Sequence, residues 1–314
     1  MQQLRESAAS ASAAEFEAIV EDALTQMHKE KTRQSIAGGK VKGGLVQIQE
    51  FENLAIIGDL HGDSVSLLRI LSDIDFERFL ANPKNKLIFM GDYVDRGSDS
   101  VGVLYMVCHL KNSFTQSVLL MRGNHEAPSE FPFSSHDLPY RIVERFGEPI
   151  GKRVYGKVLS MFRELSVATI IGRKLLIVHG GLPTGEEAVS NYQESLATAH
   201  ENHTRSRVLE EILWNDPRPV VSSVGWEPSR RGIGRHFGAG ITQRWLDASG
   251  TCAVVRGHEP CQGFRIDHGG KIMTLFSCLE AYPGFRAAYL VASKDNLEAR
   301  NDAKDLVSDV RFLG

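Results

Sequence analysis

Five short apolar runs constrain this chain more than any other feature, because each stops abruptly at a residue type able to bind metal. Leu54–Ile57 runs into Gly58-Asp59, Leu87–Met90 into Gly91-Asp92, and Val118–Met121 through Arg122 to Gly123-Asn124-His125. Leu175–Val178 runs into His179-Gly180-Gly181, and Ala253–Val255 into Arg256-Gly257-His258. Apolar runs of this length without alternation suit strands buried on both faces. Such strands imply a sheet covered by helices on both sides, an α/β layer architecture. Ligands of open sheets gather beyond the carboxyl ends of the strands, and all five runs put their polar residues at that end.

The rest of the chain is arranged around these runs. Phe16, Ile19, Val20, Ala23, Leu24 and Met27 recur at helical spacing and predict a helix from Ala13 to about Gln34, preceded by a frayed Ala/Ser run. Gly38, Gly39, Gly43 and Gly44 mark a loop before an alternating strand at residues 45–49. The polar stretch from Pro183 to Ser206 reads as a surface insertion, in which His200 and His203 are solvated rather than metal-binding. Ile272–Phe276 and Ala287–Ala292 are strand-like, and the tail from Lys294 is charged and weakly helical. The expected organisation is a helical extension with a glycine-rich loop (1–44), a catalytic domain (45–293) and a charged tail (294–314).

A net charge of −3 gives no electrostatic case for nucleic acid or a membrane surface as partner. A basic stretch around Lys29, Lys31, Arg33, Lys40 and Lys42 reads as a solvated segment. No apolar run approaches the ~20 residues needed to span a bilayer, and the N-terminus makes a poor signal peptide. Four cysteines without paired spacing do not form a disulfide scaffold, so a reducing, cytoplasmic location is the expectation.

The polar residues at the strand ends suit hydrolysis of a phosphate monoester. That reaction needs charge neutralisation, a strong nucleophile at neutral pH and a proton for the leaving oxygen. Two metals about 3.5–4 Å apart supply the first two. Asp59, His61 and a shared Asp92 would hold one metal; Asp92, Asn124, His179 and His258 would hold the other. This mix of carboxylate, imidazole and amide favours Mn²⁺, Fe or Zn²⁺ over Ca²⁺ or Mg²⁺. Only Asp59 and Asp92 are anionic, so the pair of cations keeps a net positive charge for a phosphate dianion. His125, next to a ligand but not needed as one, is free to protonate the departing oxygen, with Asp95 to orient it. Arg96 can grip two phosphate oxygens. Trp214, Trp226 and Asp216 read as packing or structural residues.

The motifs Gly58-Asp59-Leu60-His61-Gly62, Gly91-Asp92-Tyr93-Val94-Asp95-Arg96-Gly97, Arg122-Gly123-Asn124-His125-Glu126, His179-Gly180-Gly181-Leu182 and Arg256-Gly257-His258 occur in one order. In this the chain resembles the phosphoprotein phosphatase family, the serine/threonine phosphatases of the calcineurin-like metallophosphoesterase superfamily. The likeness extends to Leu213–Pro217, Arg231-Gly232 and Thr274–Ser277, and covers roughly residues 45–293. It implies a central β-sandwich flanked by helices, with a dinuclear metal site at the carboxyl ends of strands. It implies a phosphoprotein substrate and direct attack by a hydroxide bridging the two metals, with Asp59, His61, Asp92, Asn124, His179 and His258 as ligands. His125 matches the general acid and Asp95 its partner; Arg96 and Arg231 match the arginines that hold phosphate. Tyr282 stands for the family tyrosine in an altered loop, Ser277–Gly284, and Asp63 replaces a usual glutamine, which would change the charge near the metals. The alternative is a nucleotide hydrolase of the diadenosine tetraphosphatase type on the same metal site.

Overall fold

The five apolar runs become strands, but they divide between two sheets. The computed structural model describes residues 1–199, 206–219, 222 and 225–313. One sheet has five strands in the order Val310–Phe312, Ala288–Ser293, Asn53–Ile57, Lys86–Phe89, Val118–Leu120. Its last three strands are parallel, and Ala288–Ser293 pairs antiparallel with Asn53–Ile57. A second sheet has eight strands, with Leu175–Val178, Ala253–Arg256 and Ile272–Leu275 parallel at its heart, and a small third sheet joins Trp226–Pro228, Arg235–Phe237 and Asp216–Pro217.

The lack of alternation in these runs has a simple cause: the two sheets that hold them are each buried on both faces. Ile56, Ile88 and Met90 from the first sheet meet Ile48, Ile177, Val255 and Met273 from the second in the layer between them. Their neighbours Ala55, Ile57, Leu87 and Phe89 point the other way, under the helices Ala13–Arg33, Ser64–Asp73, Ser100–Ser113 and Ile150–Glu164. Ile170, Leu176, Val178 and Val254 likewise face the helices Arg207–Trp214 and Ala239–Ser249. The architecture is therefore a helix-flanked β-sandwich, with two sheets where the sequence pattern alone implied one. Isolated bridges Asp59–Phe276 and Met121–Ser166 stitch the sheets together at their ends. Parallel strands of both sheets thus open onto one edge.

Helix Ala13–Arg33 matches its periodicity. A capping box closes its start, with the Ser12 hydroxyl accepting from Glu15 N–H and the Glu15 carboxylate accepting from Ser12 N–H. It buries Phe16, Val20, Ala23 and Met27, each worth about 1.5–3 kcal/mol when fully removed from water, less for alanine.

Four segments differ from their sequence reading. The Ala/Ser run is helical over Gln2–Ser10, because Leu4 and Ala8 fall on one buried face. The glycines at 38–44 flank the strand Gly39–Lys42, which forms a hairpin with Leu45–Ile48. The polar stretch after Pro183 contains the helices Glu186–Ser190 and Tyr192–Thr198 and buries Leu196 and Ala197; His200 and His203 lie outside the described residues. The charged tail buries Leu297 and Leu306, then adds the strand Val310–Phe312 to the edge of the first sheet. Among the described residues, no helix is long and apolar enough to cross a membrane.

Candidate functional site

The loops at the shared edge hold one another before they hold anything else. The Asp92 carbonyl accepts the backbone N–H groups of Leu60 and His61 at 3.0 and 2.8 Å, tying the first motif to the second. The Asp92 carboxylate accepts His125 N–H at 3.0 Å, and the Asp59 carboxylate accepts His258 N–H at 2.9 Å. Gly123 and Gly257 are required at these contacts, since a Cβ on either would collide with the carboxylate of Asp92 or Asp59. His61, Asp92, Asp95, Arg96 and His258 all have left-handed backbones, with φ between 45° and 73°. Such conformations cost about 1–3 kcal/mol each outside glycine and gather at functional sites.

The six sequence-predicted ligands converge. His61 Nε2 lies 3.9 Å from Asp59 Oδ2 and 3.6 Å from Asp92 Oδ2, while His179 Nε2 lies 3.3 Å from Asp92 Oδ1. Asn124 Oδ1 sits between His179 Nε2 at 3.0 Å and His258 Nδ1 at 2.7 Å. Two triads, His61–Asp92–His125 and Asp92–His179–His258, each offer donor atoms within 4.8 Å of one another. Asp92 belongs to both, with one oxygen facing each side.

The residues fit a divalent metal by their own chemistry. His61 and His179 donate their Nδ1–H groups to the carbonyls of Val94 and Met90, at 3.1 and 3.0 Å. The His61 ring therefore presents Nε2 as a lone pair, the form that ligates metal. Burial opposes protonation of His179, yet the charges of Asp92 and Asp59 raise its pKa to about 9, so a cation bound there replaces its Nε2 proton. Asp59 Oδ2, His125 Nε2 and His258 Nε2 are buried without a hydrogen-bond partner among the described residues. Burial and the charge of Asp92 push the Asp59 carboxyl up to about 6. Asp92 is also opposed by burial, yet its neighbouring imidazoles, His179 foremost, hold it well below the carboxylate range. Burial, with Arg231 nearby, drives His258 far down, and burial with His125 takes His61 down to about 3. Two buried carboxylates facing imidazoles, of which His61 and His258 are held neutral and His179 is charged by those carboxylates, form a set of donors that a cation completes.

Beside this cluster, His125 Nδ1–H donates to Asp95 Oδ2 at 2.7 Å. Arg96 reaches His61 Nε2 at 3.3 Å and hydrogen-bonds the Tyr282 hydroxyl, which brings Tyr282 to the rim. Arg231 lines a cavity of about 580 Å³ together with Arg96 and His125 and the apolar Phe133, Trp214 and Ile233. Its Nε lies 3.3 Å from Asp216 Oδ2, and Asp216 also pairs with buried Arg256 at 2.9 Å. Asp216 thus anchors the arginine that faces the cavity.

The Asp63 carboxylate is buried and is engaged by backbone N–H groups. Its Oδ1 accepts Ser66 N–H at 2.8 Å, capping helix Ser64–Asp73, and its Oδ2 accepts the backbone N–H groups of Leu279 and Glu280 at 2.8 and 2.9 Å. The replaced residue and the altered loop are one feature: the carboxylate clamps the segment that carries Tyr282. In Asp63→Asn one oxygen becomes an NH₂ that cannot accept those two amides. Stability should fall by about 1–3 kcal/mol, and hydrogen exchange at Leu279 and Glu280 should accelerate. Unchanged protection of both amides would mean that the clamp does not hold the loop.

Two residues escaped the sequence reading. Glu126, quoted there only as part of a motif, accepts the backbone N–H groups of Asp92, Tyr93 and Gly123 at 2.8–2.9 Å and fixes the second and third loops. His136 sits on Asp95 Oδ2 at 2.9 Å. The glutamate could have been found from its fixed place after His125; His136 stands 41 residues from Asp95 in the chain, and no periodicity marks it.

The calcineurin-like phosphoesterase profile matches residues 53–262. A probable serine/threonine-protein phosphatase of Encephalitozoon cuniculi is 34% identical over 81% of this chain and 53% of its own length. Serine/threonine-protein phosphatase T of Schizosaccharomyces pombe is 30% identical over 74% of this chain and 47% of its own. The chain thus spans about half the length of these curated relatives. In fold it is similar to a Saccharomyces cerevisiae protein serine/threonine phosphatase described as similar to human PP5. The TM-score is 0.76, at 24% identity over 96% of this chain and 90% of that one.

Proposed function

Because this chain belongs to the calcineurin-like phosphoesterase family, we propose that it is a protein serine/threonine phosphatase that hydrolyses phosphomonoesters with two divalent cations. The observation that carries this reading is the convergence of Asp59, His61, Asp92, Asn124, His179 and His258 on one buried edge, with the His125–Asp95 pair beside them. The naming of the curated relatives supports phosphoserine and phosphothreonine as the substrate class.

Asp59 and His61 hold one cation, Asn124, His179 and His258 the other, and Asp92 serves both. When bound, such cations neutralise phosphate charge and acidify water. The donor set suits manganese, iron and zinc, with manganese the choice for activity in vitro. Arg96 and Arg231, which both line the cavity, hold the phosphate, and Tyr282 braces Arg96. Asp95 fixes His125 Nδ1–H, so the proton for the departing serine or threonine oxygen is carried on Nε2. Residues 45–293 carry the catalytic unit, and the flanking segments contribute the strands Gly39–Lys42 and Val310–Phe312 to its sheets. Cysteines 108, 252, 261 and 278 are free, which accords with a reducing compartment such as the cytoplasm.

Purified protein supplied with Mn²⁺ should release phosphate from phosphoserine peptides. A clear preference for dinucleoside polyphosphates over these peptides would replace this reading with a nucleotide hydrolase.

A further inference from the structure

The Asp95 carboxylate is fully buried and accepts four hydrogen bonds, of which His125 supplies only one. Its Oδ1 accepts the backbone N–H groups of Asp137 and Leu138, each at 2.9 Å. Its Oδ2 accepts His125 Nδ1–H at 2.7 Å and a second imidazole, His136 Nδ1–H, at 2.9 Å. On the far side of that second ring, His136 Nε2 is hydrogen-bonded to the Tyr155 hydroxyl at 2.7 Å. Both nitrogens of His136 are thereby engaged. Tyr155 is carried by helix Ile150–Glu164, which buries Val154, Val158, Met161 and Phe162 in the core. Phe133 lies edge-on to both imidazoles, 4.5 Å from His125 and 5.5 Å from His136 between ring centres.

We propose that His136, held by Tyr155, is a positioning residue that fixes the Asp95 carboxylate so that His125 keeps Nε2 aimed at the leaving oxygen. The inference rests on the reading of His125 as the group that protonates that oxygen. The two backbone bonds pin Oδ1, but with His125 alone on Oδ2 the carboxylate and the imidazole can swing together. A second donor on Oδ2 fills its remaining lone-pair direction and ties the carboxylate plane to a helix of the core. Proton transfer requires Nε2 within about 2.6–3.2 Å of its target, so a small swing at Asp95 removes the transfer without disturbing the cluster of ligands. The plainer role for His136 is to satisfy a buried carboxylate, which would matter for stability and touch every substrate alike.

The two roles separate on the leaving group. A serine alkoxide needs a proton as it departs, whereas 2,4-dinitrophenolate does not. In the manganese-loaded protein, His136→Ala should lower kcat on a phosphoserine peptide about tenfold or more while lowering kcat on 2,4-dinitrophenyl phosphate less than about threefold. KM should stay unchanged for both. His136→Gln, which can return an N–H to Asp95, should recover most of the loss. Tyr155→Phe, which removes only a hydroxyl, should show a smaller loss with the same selectivity. In the metal-free protein, ¹⁵N spectra should report a proton on His136 Nδ1, and His136→Ala should shift the His125 ring resonances. Equal losses on the two substrates, or no loss on either, would overturn the proposal. His125→Ala measured alongside keeps the two ideas apart. If that variant loses both substrates equally, the reading of His125 fails; if it discriminates and the His136 and Tyr155 variants do not, only the role of His136 fails.

Discussion

Asp92→Asn should cost the protein both cations at once and leave essentially no turnover. The change is isosteric, so the backbone contacts of Asp92, including its carbonyl bonds to Leu60 and His61, persist. What disappears is the one anionic group that faces both halves of the cluster, with Oδ2 3.6 Å from His61 and Oδ1 3.3 Å from His179. Asn124 is already a neutral ligand, so Asp59 would be left as the only carboxylate among the six. The loss of affinity should exceed the roughly 10–100-fold that follows from altering an outer-sphere partner of a metal ligand. Metal content per chain, measured after dialysis at fixed free Mn²⁺, checks this. Retention of one full equivalent would mean that Asp92 serves a single ion.

His125→Ala should lower kcat on phosphoserine peptides by about 10²–10⁴-fold, the range a positioned acid contributes. The geometry alone permits another role, because His125 offers a donor atom within 4.8 Å of donors on His61 and Asp92. The Asp95 bond argues for the acid: it occupies Nδ1 and leaves Nε2, buried and unpartnered among the described residues, beside the cavity. Metal content should therefore be unchanged in the variant, and the loss should shrink for esters whose leaving group departs unprotonated. A fall in bound metal that parallels the fall in rate would make His125 a ligand.

The cluster of ligands was legible in the sequence because its six members lie just beyond the ends of five apolar runs, and strand direction sends all of them to one edge. The division of those runs between two sheets was not legible: Ile56 and Val255 are equally apolar, and nothing in either run names its pairing partner. The short terminal elements escaped for a related reason. Helix Gln2–Ser10 is held by Leu4 and Ala8, and strand Val310–Phe312 by a neighbouring edge, which are tertiary contacts that local composition does not announce. The second role of Asp63 was not legible, because its side chain caps a helix and clamps the loop at Leu279, more than two hundred residues away in the chain. His136 joins Asp95 only through the fold.

Anomalous diffraction from crystals grown with Mn²⁺ tests the central claim most directly. Two peaks about 3.5–4 Å apart should appear, one beside Asp59 and His61 and the other beside Asn124, His179 and His258, with Asp92 reaching both. A single peak, or a pair placed away from Asp92, would contradict the account.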